Sequence, residues 1–198
     1  MDKLTFWRLF LVAFGIFVGF LDTIFAWQRI KKVKLTWTNF CNAKGLQCDP
    51  GKTLKEPVID GLYRGFKVRL ESHTWMAGSS RFIKTARSTW LRTEITNPNS
   101  EKFIITGLNY PHNPEHFIDV CDEEHNPKFF FKGEADTLTR IKSNGELIER
   151  LFQEPYLYIL AEENKITVNL ENLPESEDAL EKLFDLTVDI AALVEKPV

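Results

Sequence analysis

Six side chains that could ligate a metal crowd into one short stretch: His112, His116, Asp119, Cys121, Asp122 and His125. They include three of the four histidines and one of the three cysteines. Imidazole and thiolate donors suit zinc or another borderline metal, which makes His112, His116, Cys121 and His125 the candidate ligands. The spacing matches poorly. Pro114 lies between the first two histidines and works against a regular helix presenting both rings on one face. Cys121 has no second cysteine nearby. A polar loop between strands accounts for the stretch without a metal, so the expectation is no cofactor. A metal-dependent or enzymatic domain built on this cluster is the alternative.

A second constellation spans residues 64–92. It holds seven cations, Arg64, Lys67, Arg69, Arg81, Lys84, Arg87 and Arg92, against the single acid Glu71. Trp75 and Phe82 are expected in a connecting loop beside Gly78, Ser79 and Ser80. Cations beside exposed aromatics suit anionic headgroups, with tryptophan at the interface. Arg64, Lys67, Arg69, Trp75, Arg81, Phe82, Lys84 and Arg87 are therefore the candidate contact with lipid or an anionic partner. The plainer reading is a solvated strand face plus a loop. Nucleic acid would use the same mixture, but it is not expected in a membrane-attached chain with an acidic second half. Phosphate loops, dinucleotide fingerprints, nucleophile elbows and the H-E-x-x-H metal motif are all missing. Gly61 and Gly65 read as a tight turn entering a strand at Phe66, and Cys41 and Cys48 have no neighbouring histidine to activate them. An enzyme is not the expected class.

The elements that must position these residues begin with a nearly unbroken apolar run over residues 9–27, followed at once by Arg29, Lys31, Lys32 and Lys34. As a helix it is about 29 Å long, close to the hydrocarbon thickness of a bilayer. Its Leu, Ile, Phe and Val favour insertion by about 4 to 7 kcal/mol, and Asp22 opposes by at most ~3.5 kcal/mol. A cleaved signal peptide fits less well, because bulky residues stand where small ones are needed. The flanking cations put the larger part on the inside. The expectation is a single-pass protein of the cell (inner) membrane: a transmembrane helix over 5–30, a juxtamembrane helix over 31–46 and a cytoplasmic domain over 47–198. Gly15, Gly19, Asp22 and Ala26 share one helical side. Gly15 and Gly19 form a G-x-x-x-G pair, so this face is expected to pack against a second transmembrane helix, its own copy or another protein's.

Charge is polarised. Residues 1–114 hold 17 Lys/Arg and 8 Asp/Glu, whereas residues 115–198 hold 8 and 20. Anionic inner-leaflet lipid would attract the first part and repel the second. Past the anchor, Trp37, Phe40 and Cys41 recur at helical spacing and Gly45 is a left-handed stop. Period-two alternation marks strands at 66–71 and 90–96. Asn97-Pro98-Asn99-Ser100 reads as a turn pairing the second of these with a strand at 103–105. A short strand covers 128–132. Residues 134–153 form one or two helices broken near Asn144-Gly145. A hairpin joins 156–161 to 165–170, and a last helix capped by Ser176 carries Leu180, Leu183, Phe184, Thr187, Ile190, Ala191 and Val194 on one stripe. This is an α+β chain: an N-terminal transmembrane helix, then a mainly antiparallel sheet packed with two or three helices.

Trp37, Phe40, Gly45-Leu46, Pro50-Gly51, Ile59-Asp60-Gly61-Leu62-Tyr63-Arg64-Gly65 and Val68 together resemble a scattered group of uncharacterised bacterial membrane-anchored proteins. These share a short Trp-bearing helix, a Gly-x-Tyr-Arg-Gly strand entry and a carboxyl-terminal hairpin plus helix. The resemblance implies those parts of a fold, and no reaction. The function expected is a binding or scaffolding module at the membrane surface, with membrane lipid as one partner.

Overall fold

Helix α1 (Lys3–Lys44) runs unbroken through both the apolar run and the Trp-bearing segment, so the expected boundary between residues 30 and 31 is no break in the backbone. The computed structural model describes residues 3–52, 56–77, 84–96, 102–107, 118–121, 127–133, 135–154, 156–162 and 164–195. At 42 residues, α1 is about 63 Å long. Its two halves have opposite surroundings. Phe10, Leu11, Phe14, Ile16, Phe17, Phe20 and Phe25 are all exposed, while Ile30, Val33, Trp37, Phe40 and Cys41 are buried. The buried set recurs every three or four residues, as one face of a helix lying on a core must. Gly45, at φ 69°, ends the helix, and the Leu46 N–H donates to the Cys41 carbonyl at 2.9 Å. That bond is the six-to-one closure of a Schellman cap, and Leu46 and Cys41 supply its apolar contact.

Among the described residues, nine strands form one antiparallel sheet: β1 (Gln47–Asp49), β2 (Val58–Tyr63), β3 (Phe66–Ala77), β4 (Lys84–Glu94), β5 (Phe103–Gly107), β6 (Ile118–Cys121), β7 (Pro127–Lys132), β8 (Leu157–Glu162) and β9 (Lys165–Leu170). Their order is β1-β2-β3-β4-β9-β8-β5-β7-β6. One row crosses seven of them in register: Ile59, Leu70, Leu91, Val168, Ile159, Ile105 and Phe131. None of these is more than 1% exposed. The alternation of side chains puts this row on the face covered by helices, and Lys67, Arg69, Arg92 and Glu94 on the other.

Three expectations change here. β4 does not pair with β5. Its neighbours are β3 and β9, and the β8–β9 hairpin sits between β4 and β5. Thr93 and Leu91 find Ile166 and Val168 as same-face partners, and that long-range match outweighs the short connection. Trp75 is in β3 and not in a loop, since the β3–β4 ladder continues to Ala77↔Lys84. Asp119 and Cys121 lie in strand β6, paired with β7, where a polar loop is the expectation.

The remaining helices are α2 (Ala135–Lys142), α3 (Gly145–Phe152) and α4 (Glu177–Glu195). The break falls at Asn144, whose side chain accepts from the Leu147 N–H at 3.1 Å and caps α3. Ser176 caps α4 in the same way, accepting from the Ala179 N–H at 3.1 Å. Every residue of the expected α4 stripe is buried, and so are Leu186 and Val188 beside it. The stripe is wider than the sequence implies because α4 is covered on more than one side, touching α1, α2, α3 and the sheet. Phe184 joins Phe40 and Tyr63, with ring centroids 5.1 and 5.2 Å away, and so ties α4, α1 and β2 into one aromatic cluster.

Candidate membrane-facing end

The apolar half of α1 is long and apolar enough to span a membrane and has none of its most apolar window buried. Within it the Thr23 hydroxyl donates back to the Gly19 carbonyl at 2.8 Å, as hydroxyls in apolar helices do. Trp27 closes the run, and the Lys31 ammonium stands 5.5 Å from its ring centroid. Two residues on, Arg29 pairs with Glu175 at 2.5 Å. Trp37 donates its indole N–H to the Pro174 carbonyl at 2.9 Å. The helix therefore passes from its lipid-length section into the core within about one turn.

The small-residue face has a continuation. Gly15, Gly19, Asp22 and Ala26 lead by the same helical steps into Ile30, Val33 and Trp37, which are buried against the domain. Ala26 already borders the domain: with Arg29, Arg87, Glu171, Asn172 and Leu173 it lines a cleft of about 390 Å³. A side-chain carbon added at Gly15 or Gly19 would meet nothing within 4 Å, so that part of the face is open within this chain. The Asp22 side chain lies outside the described residues.

The basic segment is not one patch. Arg64 and Gly65 are the two central residues of the β2–β3 turn, with φ of 50° and 87° between the paired Tyr63 and Phe66; positive φ at both centres makes it a type I′ hairpin. Arg64 points to α4, pairing with Asp189 at 2.9 Å and Asp185 at 3.2 Å. Lys67 and Arg69 lie on the open face. Lys67 pairs with Glu94 at 2.7 Å, and Arg69 with Asp60 at 3.1 Å. Glu71 accepts from Arg92; burial pushes its carboxyl up, but Arg92, His73 and Arg69 together hold it below the usual range. Arg87 is on the helix-covered face, 3.6 Å from Glu56. The acids missing from residues 64–92 thus arrive from β2, β4, α4 and the segment before β2.

Position along the sheet separates these cations further. The Thr74↔Arg87 pair is level with Ala26 and Arg29, whereas Tyr63 is level with Phe40, about 26 Å away at 3.3 Å per strand residue. From Phe66 to Thr74, β3 thus runs from the level of Phe40 to the level of Ala26. Beyond it, Trp75↔Ala86, Met76↔Thr85 and Ala77↔Lys84 carry the hairpin about 10 Å further. Arg81 and Phe82 lie outside the described residues. So do His112, His116 and His125. Cys121 is placed only as a residue of β6. Among the described residues no group of three or more His, Cys, Asp or Glu is placed to hold a metal.

Two features have no counterpart in the sequence reading. The first is a charge network: Asp189 joins Arg64 to Arg150, the latter at 2.6 Å, and the Tyr63 hydroxyl donates to Asp185 at 2.9 Å. Burial, then the bond to Asp185, pushes that phenol up. Two arginines and two aspartates cancel in formal charge, and the network latches the β2–β3 turn to α3 and α4. The second is an apolar cavity of about 320 Å³ between α3, α4 and the ends of β8 and β9. Only topology brings its walls together, so no motif could have found it.

Cys41 is no nucleophile. Burial, and next the neighbouring Cys48, push its thiol up to about 12. A folded-state pKa above the unfolded value means the contribution is full below the unfolded pKa of about 9 and is lost as pH climbs through the folded one. The melting temperature of the full chain in detergent should therefore fall between about pH 9 and pH 12, and fall less in Cys41→Ala; equal slopes in the two proteins would refute this assignment.

No family model matches the sequence, and no curated protein matches it. The fold does match a solved structure, the mycobacterial trehalose monomycolate transport factor A, TtfA, with a TM-score of 0.52 at 10% sequence identity. The match covers 84% of this chain and 97% of that one. At this identity the likeness is one of fold: the α+β arrangement of helices on an antiparallel sheet.

Proposed function

We propose that this is a single-pass membrane protein whose α+β domain is a binding or scaffolding module held flat against the inner face of the cell membrane. One observation supports it above the others. α1 has no joint between its apolar half and the residues buried in the core. A helix without a linker cannot let the domain swing away, so the end beside Trp27 stays at the leaflet. The cations Arg29, Lys31, Lys32 and Lys34 favour the cytoplasmic side, through the positive-inside bias and the attraction of anionic lipid.

The β3–β4 hairpin is then a second point of contact. Its described strand positions past Arg87 carry Trp75, Met76, Ala77, Lys84, Thr85 and Ala86, a mixture of aromatic, apolar and cationic residues suited to the interface. Lys67 and Arg69, which the sequence groups with it, are neutralised on the open face and take no part. The test uses the full chain in liposomes, with a single spin label at Ala77→Cys or Lys84→Cys in a background lacking the native cysteines. The label should be reached more by oxygen than by an aqueous nickel chelate, and phosphatidylglycerol should strengthen this. A label at Leu62, which is 69% exposed at the far end, should show the reverse. Equal nickel access at all three sites would end the proposal.

A further inference from the structure

We infer that the apolar cavity between α3, α4 and the ends of β8 and β9 takes the hydrocarbon chain of a membrane lipid. This rests on the reading of the domain as lying against the leaflet. Its apolar wall is Leu157, Leu170, Leu173, Ala179, Leu183 and Leu186, and the uncharged polar Gln153, Tyr156 and Asn172 also line it; its volume of about 320 Å³ is roughly twice that of a leucine-lined cavity that holds benzene, or room for about a dozen carbons. Apolar walls of this kind gain from contact with hydrocarbon, since unfilled walls forfeit dispersion contacts.

Three observations select the occupant. The polar rim offers no net charge to a ligand: Arg150 and Lys182 stand with Glu154 and Glu171. Both cations have an acidic partner, Arg150 in Asp189 at 2.6 Å and Lys182 in Asp178 at 2.9 Å, although Arg150 Nη2 makes no hydrogen bond. Recognition therefore falls on an apolar chain and not on an anionic headgroup. The source follows from position. Glu171, Asn172 and Leu173 form one wall of this cavity and also one wall of the cleft at Ala26 and Arg29, where α1 enters the domain. The cavity is separated from the interfacial turn of the anchor by that single segment, so the nearest store of hydrocarbon chains is the leaflet itself.

The full chain is reconstituted in liposomes containing a phosphatidylcholine with a photoreactive diazirine midway along one acyl chain, irradiated and digested, and the adducts are mapped by mass spectrometry. Adducts are expected on residues 170–186 as well as on α1. Ala179→Phe, which fills the cavity from α4, should abolish the first set at least tenfold and leave the second unchanged. Leu170→Phe does the same from the opposite wall and serves where Ala179→Phe lowers the melting temperature. No adducts on 170–186, or adducts that survive both substitutions, would overturn the inference. The spin labels at residues 77 and 84 report on the leaflet contact separately, so failure of that reading is distinguishable from an empty cavity.

Discussion

Trp37→Ala will lower the stability of the domain by about 3–5 kcal/mol, the cost of truncating a fully buried aromatic. Trp37 has no exposed surface, and its indole N–H satisfies the Pro174 carbonyl at 2.9 Å. The substitution removes the ring, leaves a cavity and orphans a buried acceptor. Its consequence extends beyond the core. Pro174 adjoins Glu175, which holds Arg29 and accepts from the Thr36 hydroxyl through its carbonyl at 3.5 Å. Releasing residues 171–175 from α1 loosens one set of the contacts, beside those of Lys34 with the Gly51 and Lys52 carbonyls, that hold the domain at this end of the helix. In urea titrations of the full chain in detergent, the midpoint should drop by about 2 M. Trp37→Phe keeps most of the volume and loses the hydrogen bond, so it should cost about 1–2 kcal/mol. Equal effects for the two variants would mean that the ring packs nothing.

Why Trp37 is legible as a core residue, while its partner is not, follows from the range of each signal. Helical periodicity is local: the α4 stripe, the Asn144 break, the Ser176 cap and the Gly45 stop can all be read within a few residues. The β8–β9 hairpin is local too, with two residues between the paired Glu162 and Lys165. Pairings that join distant segments leave no such mark. Nothing near Leu91 announces that Val168 will lie beside it. Three strands stay hidden, the three-residue β1 and two others for a related reason. β2 carries Asp60 and Gly61 in its middle, and β6 carries Asp119, residues that read as turn or loop. The basic segment misleads in the same way. Counted along the chain, residues 64–92 are almost unopposed. In space, Arg64 meets acids 121 and 125 positions away on α4, and Lys67 meets Glu94. A charge run measures a surface only when its neighbours in the fold are counted. The membrane contact proposed above rests on position along α1 and β3, not on composition.

The same limit explains Gly61, and its replacement by alanine carries the second large effect. Gly61 is a strand residue paired with Val68, not the turn residue its sequence surroundings imply. Two independent demands keep it glycine. Its φ is 153°, a region that costs an alanine about 1–3 kcal/mol. A side-chain carbon there would stand 2.9 Å from Leu46 Cδ2 and 3.5 Å from Leu46 Cα, and such overpacking costs about 1–3 kcal/mol more. Leu46 closes the Schellman cap of α1, so the clash falls where the anchor helix joins the sheet. Gly61→Ala should destabilise the domain by about 2–5 kcal/mol. A double-mutant cycle separates the two demands. Leu46→Ala removes the overlapping methyl but not the backbone strain. The double variant should therefore lose about 1–2 kcal/mol less than the sum of the single losses, as contacting residues do. Strict additivity would assign the whole cost to the backbone and leave the packing of β2 against the helix terminus without energetic weight.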